Sequence, residues 1–403
     1  MPEMKKKLLN NKLIFFICYL AYTSIYVARL NISMASPSLK ADDILNAAQI
    51  GILGSVFSCV YACGRFINGK ISDSLPSWLM ICSGLAVAGI SNIFIGYLPP
   101  FIAIVILWGA NAYAQSMLWS SILRIVSLLY DEEKARKISS YMVTAVAVGN
   151  IAGILLNNFI IASLGVRFAF IIPGGITLIM GAFVFFTTKH IQNTISPKKH
   201  IPVHKLFQNN ELRLIIIPAM LHGAIKDNIS LWMALFFAER YQIQLNSSAN
   251  FVLFIPIIGF VGRTIYPLCY KLFGDNEHKV AFFSFLLCAV AAILCLFDVS
   301  PVIAAVSLSI IYAAVSIVNT SFVSIFPLSF QSSGNVASVS GLMDFFTYFG
   351  AGIGSFAYGF IIEKYGYTPM FFSWMAISLV SAGIMIVLLK KKRGIDYKKE
   401  QNN

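Results

Sequence analysis

Arg29-Leu30-Asn31-Ile32-Ser33 and Lys226-Asp227-Asn228-Ile229-Ser230 stand 197 positions apart and share their Asn-Ile-Ser ending. Each puts a permanent cation inside an apolar run long enough to cross a bilayer. A charge at the centre of such a run costs at least about 2.5–3.5 kcal/mol on the least severe scale. A residue that expensive needs a reason, and the expectation is that the two cations hold an anionic solute near the middle of a membrane.

Working outward, the rest of the chain fits that setting. Of 403 residues, 58% are hydrophobic, 14% aromatic and only 12% charged, about half the charged share of an ordinary soluble domain. Apolar runs of ~20 residues, each able to span ~30 Å of hydrocarbon as a helix, recur twelve times: 13–35, 48–69, 77–97, 100–123, 138–163, 168–187, 212–238, 248–270, 279–297, 301–326, 336–362 and 367–389. The net charge of +13 does not call for nucleic acid, because its placement follows topology. With the N-terminus and every second loop assigned to the cytoplasm, 21 of the 30 Lys and Arg fall there and four outside, as the positive-inside rule requires. The remaining five are Arg29, Arg65, Arg124, Lys226 and Arg263. Both termini are therefore expected in the cytoplasm of a multi-pass protein of the cell membrane. Lys5-Lys6-Lys7 precedes a run too long for a signal peptide and without a small-residue cleavage site, so it reads as a retained first span. Seven cysteines, all within apolar runs, read as small core residues rather than a disulfide framework.

The first span carries Arg29 and is expected to end at Pro37. The fourth places Asn111, Gln115 and Trp119 four residues apart, on one helical face, with Arg124 near its inner end. Asp131 to Lys137 reads as a charged cytoplasmic turn whose groups could meet Asp73. The segment 189–211, with two prolines, divides six spans from six. The expected organisation is a bundle over 1–188, a central loop over 189–211, a second bundle over 212–390 and a tail over 391–403. Gly64-Arg65-Phe66-Ile67 recurs as Gly262-Arg263-Thr264-Ile265. Gly149 and Gly153 recur as Gly350 and Gly354, and Gly165 and Phe170 as Gly366 and Phe371. Matches in one order, with offsets between 197 and 201, indicate two parallel repeats. In such repeats the solute is expected near the midplane. The fold class is therefore an all-α integral membrane protein, twelve transmembrane helices in two pseudo-symmetric bundles of six.

On these residues the chain resembles the major facilitator superfamily: two halves of six, a basic central loop, and Gly69-x-x-x-Asp73 after the second span. That loop signature departs from the family at Ser74-Leu75-Pro76, and Lys271 stands at the counterpart of Asp73. Arg29-x-Asn31-x-x-x-Ala35-x-Pro37, Asn111-x-x-x-Gln115-x-x-x-Trp119-x-x-x-x-Arg124 and Gly341-Leu342-x-x-Phe345-Phe346-x-Tyr348-x-Gly350 are similar to the organophosphate:phosphate antiporter branch. The resemblance implies exchange of a phosphorylated solute for inorganic phosphate, bound by a pair of arginines. Here His222 occupies the second arginine's place, with Lys226 one turn further along the same face. Val146 replaces a substrate-facing histidine.

Each candidate has a plainer reading. Arg29 is an anion ligand, its planar fork suited to carboxylate or phosphate, or else it locks an ion pair with Asp227 or Asp344. Lys226 is the second ligand or is neutralised by Asp227, although neighbours on a helix point ~100° apart. Asp227 and Asp344 are candidate proton carriers, with interhelical hydrogen bonding as the alternative, and His222 is a further titrating group. Asn111, Gln115 and Trp119 are expected to line a cavity. Arg65, Arg263, Arg124 and Asp73 are assigned to gating or structure.

No phosphate-cradling glycine loop, metal-spaced cluster or nucleophile elbow is found, so neither catalysis nor a cofactor is expected. The expected function is secondary transport of a small organic anion, phosphorylated or carboxylated, by antiport or proton coupling. Its partners would be solute and lipid, not nucleic acid, and the protein is expected to be a monomer. The alternatives are proton-coupled efflux of amphipathic compounds and, from another class, a membrane sensor that binds a metabolite without moving it.

Overall fold

The computed structural model describes residues 2–71, 75–189, 206–243, 245–333 and 336–400. Asp73, most of the central loop and the last three residues lie outside them. The described chain is helical: α1 Pro2–Ala41, α2 Ala47–Ile71, α3 Ser77–Gly96, α4 Phe101–Ser116, α5 Leu118–Leu129, α6 Glu132–Leu164, α7 Phe168–Thr188, α8 Asn210–Tyr241, α9 Leu245–Thr264, α10 Tyr266–Leu272, α11 Glu277–Leu294, α12 Pro301–Asn319, α13 Val336–Tyr365 and α14 Thr368–Glu400. Eleven spans are long and apolar enough to cross a membrane, counting α4 with α5 as one. Phe251–Thr264 and Tyr266–Leu272, bent by 47° at their junction, make a twelfth.

Several boundaries differ from the expected ones for local reasons. Pro37 does not end the first helix, which continues to Ala41. A proline lacks the N–H that would bond the carbonyl four residues back; here that carbonyl, on Ser33, accepts the hydroxyl of Ser36 at 2.7 Å. The fourth span runs on to Leu129 but breaks at Met117, between Gln115 and Trp119. The tenth span passes from α12 into a π-helical turn at Thr320–Ile325 and then a tight 3₁₀ segment at Phe326–Ser333. The charged stretch after Asp131 is not a loop but the first turns of α6. Asp131 caps that helix by accepting the Lys134 backbone N–H at 3.0 Å, a contact that holds its carboxyl below the usual carboxylate range.

The chain divides into two compact units. One comprises Met1–Lys198 with Ala238–Ala249, the other Lys199–Phe237 with Asn250–Asn403. In the first, α3 packs on α7, α1 on α6 and α2 on α4, around a core that includes Ile14, Tyr22, Leu85, Leu118, Ile122 and Met142. In the second, α11 packs on α14 and α12, around Phe285, Phe322, Phe326, Met343 and Met385.

The internal repeat is visible in backbone conformation as well as in sequence. Gly165 and Gly366, the repeat-matched glycines, follow α6 and α13 with φ of 94° and 74°; Asp43 and Gln242, just past α1 and α8, have φ of 53° and 51°. Positive φ therefore recurs at matched helix ends in the two repeats. The matched glycine pairs also do the same packing work. A Cβ at Gly149 would lie 2.6 Å from the Cβ of Tyr26, so α6 can press against α1 beside Arg29; one at Gly350 would overlap the Met220 backbone, where α13 meets α8.

Gly350→Ala is therefore expected to destabilise the protein by about 1–3 kcal/mol through overpacking. Gly175→Ala, with nothing within 4 Å of the added carbon, should be neutral or gain about 0.5–1 kcal/mol from reduced chain entropy. Thermal unfolding of the purified protein in detergent reads both, and equal melting temperatures would contradict the close α8–α13 contact.

Candidate functional site

In the first unit the site is built around Arg29, half-buried on α1. Its guanidinium carbon lies 4.5 Å from the ring centroid of Phe57, 4.9 Å from Tyr61 and 5.8 Å from Tyr26. All three are within cation–π range. Phe57 and Tyr61, one turn apart on α2, are stacked at 5.9 Å, and Phe57 also meets Trp108 of α4 at 5.3 Å. Tyr22 packs against Trp119 at 5.1 Å and against Tyr26 at 5.4 Å. Arg29 is thus framed by rings from two helices whose polarisable faces replace part of the hydration that the charge gave up. Arg65 belongs to the same frame, 5.9 Å from the Tyr61 ring.

The asparagine in the same motif does something else. Two residues on, and so on the opposite side of α1, Asn31 is fully buried and donates to Asn92 Oδ1 on α3 at 2.5 Å. Asn111 and Gln115 are buried and paired with each other, Gln115 Nε2 donating to Asn111 Oδ1 at 3.1 Å. Asn111 Nδ2 and Gln115 Oε1 have no protein partner. Trp119 lies beyond the Met117 break, beside Tyr22, and Arg124 is half-buried near the end of α5.

In the second unit the counterpart lies on α8. Lys226 is 8% exposed, its Nζ 2.6 Å from Asp227 Oδ1 and 5.3 Å from the ring centroid of Tyr348. Of the two readings left open for Lys226, pairing with its neighbour Asp227 is present: the long lysine stem bends back across the ~100° between them. His222, fully buried one turn earlier, has Nε2 3.3 Å from Asn319 Oδ1 and meets the Phe322 ring edge-on at 6.0 Å. Asn319 is the last residue of α12 before its π-helical turn, so the histidine contacts α12 where its winding changes. Asp344 is half-buried on α13, one turn before Tyr348. Arg263 is half-buried near the end of α9, with Nε buried and without an acceptor.

Asn228, the mate of Asn31, is fully buried and joins α8 to α13. It donates to Ala224 O at 2.9 Å and Ala351 O at 3.2 Å, and accepts from Trp232 Nε1 at 3.0 Å and Ser355 Oγ at 2.9 Å. The two motif asparagines are therefore helix ties and the cations beside them are the groups free to differ in role. Sequence reading missed the aromatic frame of Arg29, although Tyr22-x-x-x-Tyr26 and Phe57-x-x-x-Tyr61 carry helical spacing. It also missed Asn319, a lone amide in an apolar span.

Among the described residues, one set of side chains has metal-ligand chemistry. Glu211, Glu277 and His278 bring one ligand atom each within 4.8 Å of one another. His278 Nε2 already sits 2.7 Å from Glu211 Oε1, and its buried Nδ1 has no partner. Placing the proton on Nε2 satisfies Glu211 and leaves only a bare lone pair at Nδ1, whereas metal at Nε2 would strand a buried N–H. The group reads as a hydrogen-bonded clasp between α8 and α11.

A profile of the Major Facilitator Superfamily matches residues 14–355. A probable hexose phosphate transport protein of Chlamydia trachomatis serovar D is 32% identical over 182 residues, 45% of this chain. The match spans only 40% of that relative's length. The membrane sensor protein UhpC of Escherichia coli K12 is 22% identical over 293 residues, 66% of each chain. Among solved structures, a mutant of the nucleoside transporter NupG aligns with a TM-score of 0.76 over 94% of this chain and 98% of the other, at 17% identity, a likeness of fold.

Asn228→Ala takes away the acceptor of the Trp232 and Ser355 side-chain donors, and the extra donor to the Ala351 carbonyl, in an apolar surrounding. The expected loss is on the order of 3 kcal/mol of stability, read as a lowered melting temperature. A wild-type melting curve would mean that α8 and α13 are held together by other contacts.

Proposed function

We propose that this chain, which belongs to the Major Facilitator Superfamily, is a secondary transporter of a small organic anion, phosphorylated or carboxylated, with Arg29 as the principal anion ligand. The observation that carries the reading is the aromatic frame of Arg29. A guanidinium inside a membrane span, oriented by Phe57, Tyr61 and Tyr26, is a pre-aimed bidentate donor. The named relative that handles hexose phosphate supports a phosphorylated solute. Lys226 of the second repeat is the other cationic ligand, with His222 and Asn319 beside it. Asn111, Gln115 and Trp119 complete the binding groups, and Asp227 and Asp344 carry protons if transport is proton-coupled. Arg65, Arg263, Arg124 and Asp73 serve gating or structure.

The two repeats alternate access to the solute without catalysis, cofactor or metal, as a monomer in the cell membrane with both termini in the cytoplasm. The bundles are read as 1–188 and 212–390, with the central loop over 189–211 and the tail over 391–403. The driving force is the gradient of the solute, of inorganic phosphate or of protons.

A second reading, a sensor that binds the anion without moving it, is favoured by the likeness to a protein named as a membrane sensor. Reconstituted vesicles separate the two. A transporter gives saturable uptake or counterflow of phosphorylated solute, and Arg29→Ala and Lys226→Ala each lower it at least about tenfold, the loss expected on removing a charge-assisted contact. Binding without counterflow selects the sensor. Unchanged saturable transport in both variants would show that the cations are not ligands.

A further inference from the structure

Lys226 is a cation already in use, and its surroundings say what it stands in for. Its ammonium rests between the carboxylate of Asp227, at 2.6 Å, and the face of Tyr348, at 5.3 Å. A carboxylate and an aromatic face together are ordinary recognition chemistry for an alkylammonium. The side chains of Lys226 and Asp227 retain 10% and 21% exposure, so the pair is not sealed. Asp227 also has acceptor capacity left over: Oδ1 takes Lys226, while Oδ2 is buried and has no partner. A buried carboxylate oxygen without a partner is uncommon, and rotation about the last torsion of the side chain exchanges the two oxygens at little cost.

Charge on α8 leads to the same place. Between Arg213 and Glu239 its only fully charged side chains are Lys226 and Asp227, which cancel, and the position that would hold a second arginine holds His222. Between those ends α8 therefore presents a dipole and no net fixed charge. A dianionic solute gains little from a dipole. A solute that carries an ammonium near its anion gains at both ends.

We infer that the Lys226–Asp227 pair is a recognition element for a zwitterionic solute, whose ammonium takes the place of the lysine Nζ on Asp227 and Tyr348 while its anionic group pairs with the released Lys226. The inference rests on the proposed anion-binding role and narrows the substrate class to amino-bearing phosphates or carboxylates. Nothing is transferred covalently; two ion pairs replace one.

The test compares two near-isosteric probes, phosphoethanolamine and 2-hydroxyethyl phosphate, by calorimetric binding to the purified full-length protein, with inorganic phosphate as the anion control. The expected result is that phosphoethanolamine binds about tenfold tighter than its hydroxyl counterpart, a preference of the size that a carboxylate and aromatic pair confers on an ammonium. In Asp227→Asn the preference should collapse, the two probes binding about equally. If wild-type protein binds 2-hydroxyethyl phosphate as tightly as phosphoethanolamine while phosphate also binds, the zwitterion inference is overturned and the anion site stands. β-Alanine and 3-hydroxypropionate serve as the matching carboxylate pair, and if none of these probes binds, the anion reading fails and this inference with it. Should Asp227→Asn fail to fold, the wild-type comparison decides alone.

Discussion

A guanidinium in hydrocarbon persists only where something replaces its water, and for Arg29 the replacement is aromatic. Phe57 and Tyr61 come from one face of α2, and Tyr26 from the turn of α1 before the arginine itself. The position of that frame depends on how closely the helices can approach. Gly149 and Gly153 let α6 lie against Tyr26 and Val27, and the Asn31–Asn92 bond fixes the far side of α1 to α3. The same side chains that stabilise the bundle therefore fix where the charge sits.

The second repeat keeps the scaffold and changes the charge. Asn228 ties helices as Asn31 does, Gly350 and Gly354 admit close packing as Gly149 and Gly153 do, and matched residues past the helix ends have positive φ. The cation differs: a planar, permanently charged fork in one half, and in the other a lysine held by its own neighbour. An arginine among rings contributes a planar fork; a lysine paired with an aspartate offers a dipole. The repeats share helix ties and close-packing glycines, while Arg29 in one and His222 with Lys226 in the other make their chemistry unequal.

Much of this was legible in the sequence because bilayers impose few solutions. Twelve apolar runs, charge asymmetry and repeat offsets led to the fold, since every backbone polar group in hydrocarbon must be satisfied within a helix. Arg29 and Lys226 stood out because charge there is costly. Breaks inside spans were less legible. Met117 carries no proline or glycine, the turn after Asn319 runs into Pro327, whose missing N–H leaves the Val323 carbonyl to the Ser340 hydroxyl at 2.7 Å, and the continuation past Pro37 depended on a Ser36 hydroxyl reaching a carbonyl one turn back. The aromatic frame was hidden for a related reason: tyrosines and phenylalanines in an apolar span look like core until a cation is found between them. The Lys226–Asp227 contact was left open by helix geometry alone, because backbone angles say little about where a four-carbon stem ends.

The central claim is that Arg29 binds the solute's anionic group through its fork and is not merely a tolerated charge. Calorimetric titration of inorganic phosphate into wild-type protein and into Arg29→Lys tests it most directly, since the substitution keeps the charge and removes the bidentate geometry. The account predicts that phosphate binding weakens at least about tenfold in the lysine variant, with the melting temperature of the unliganded protein little changed. Equal phosphate affinity in the two proteins would contradict it, and would make Arg29 a structural cation in an aromatic frame.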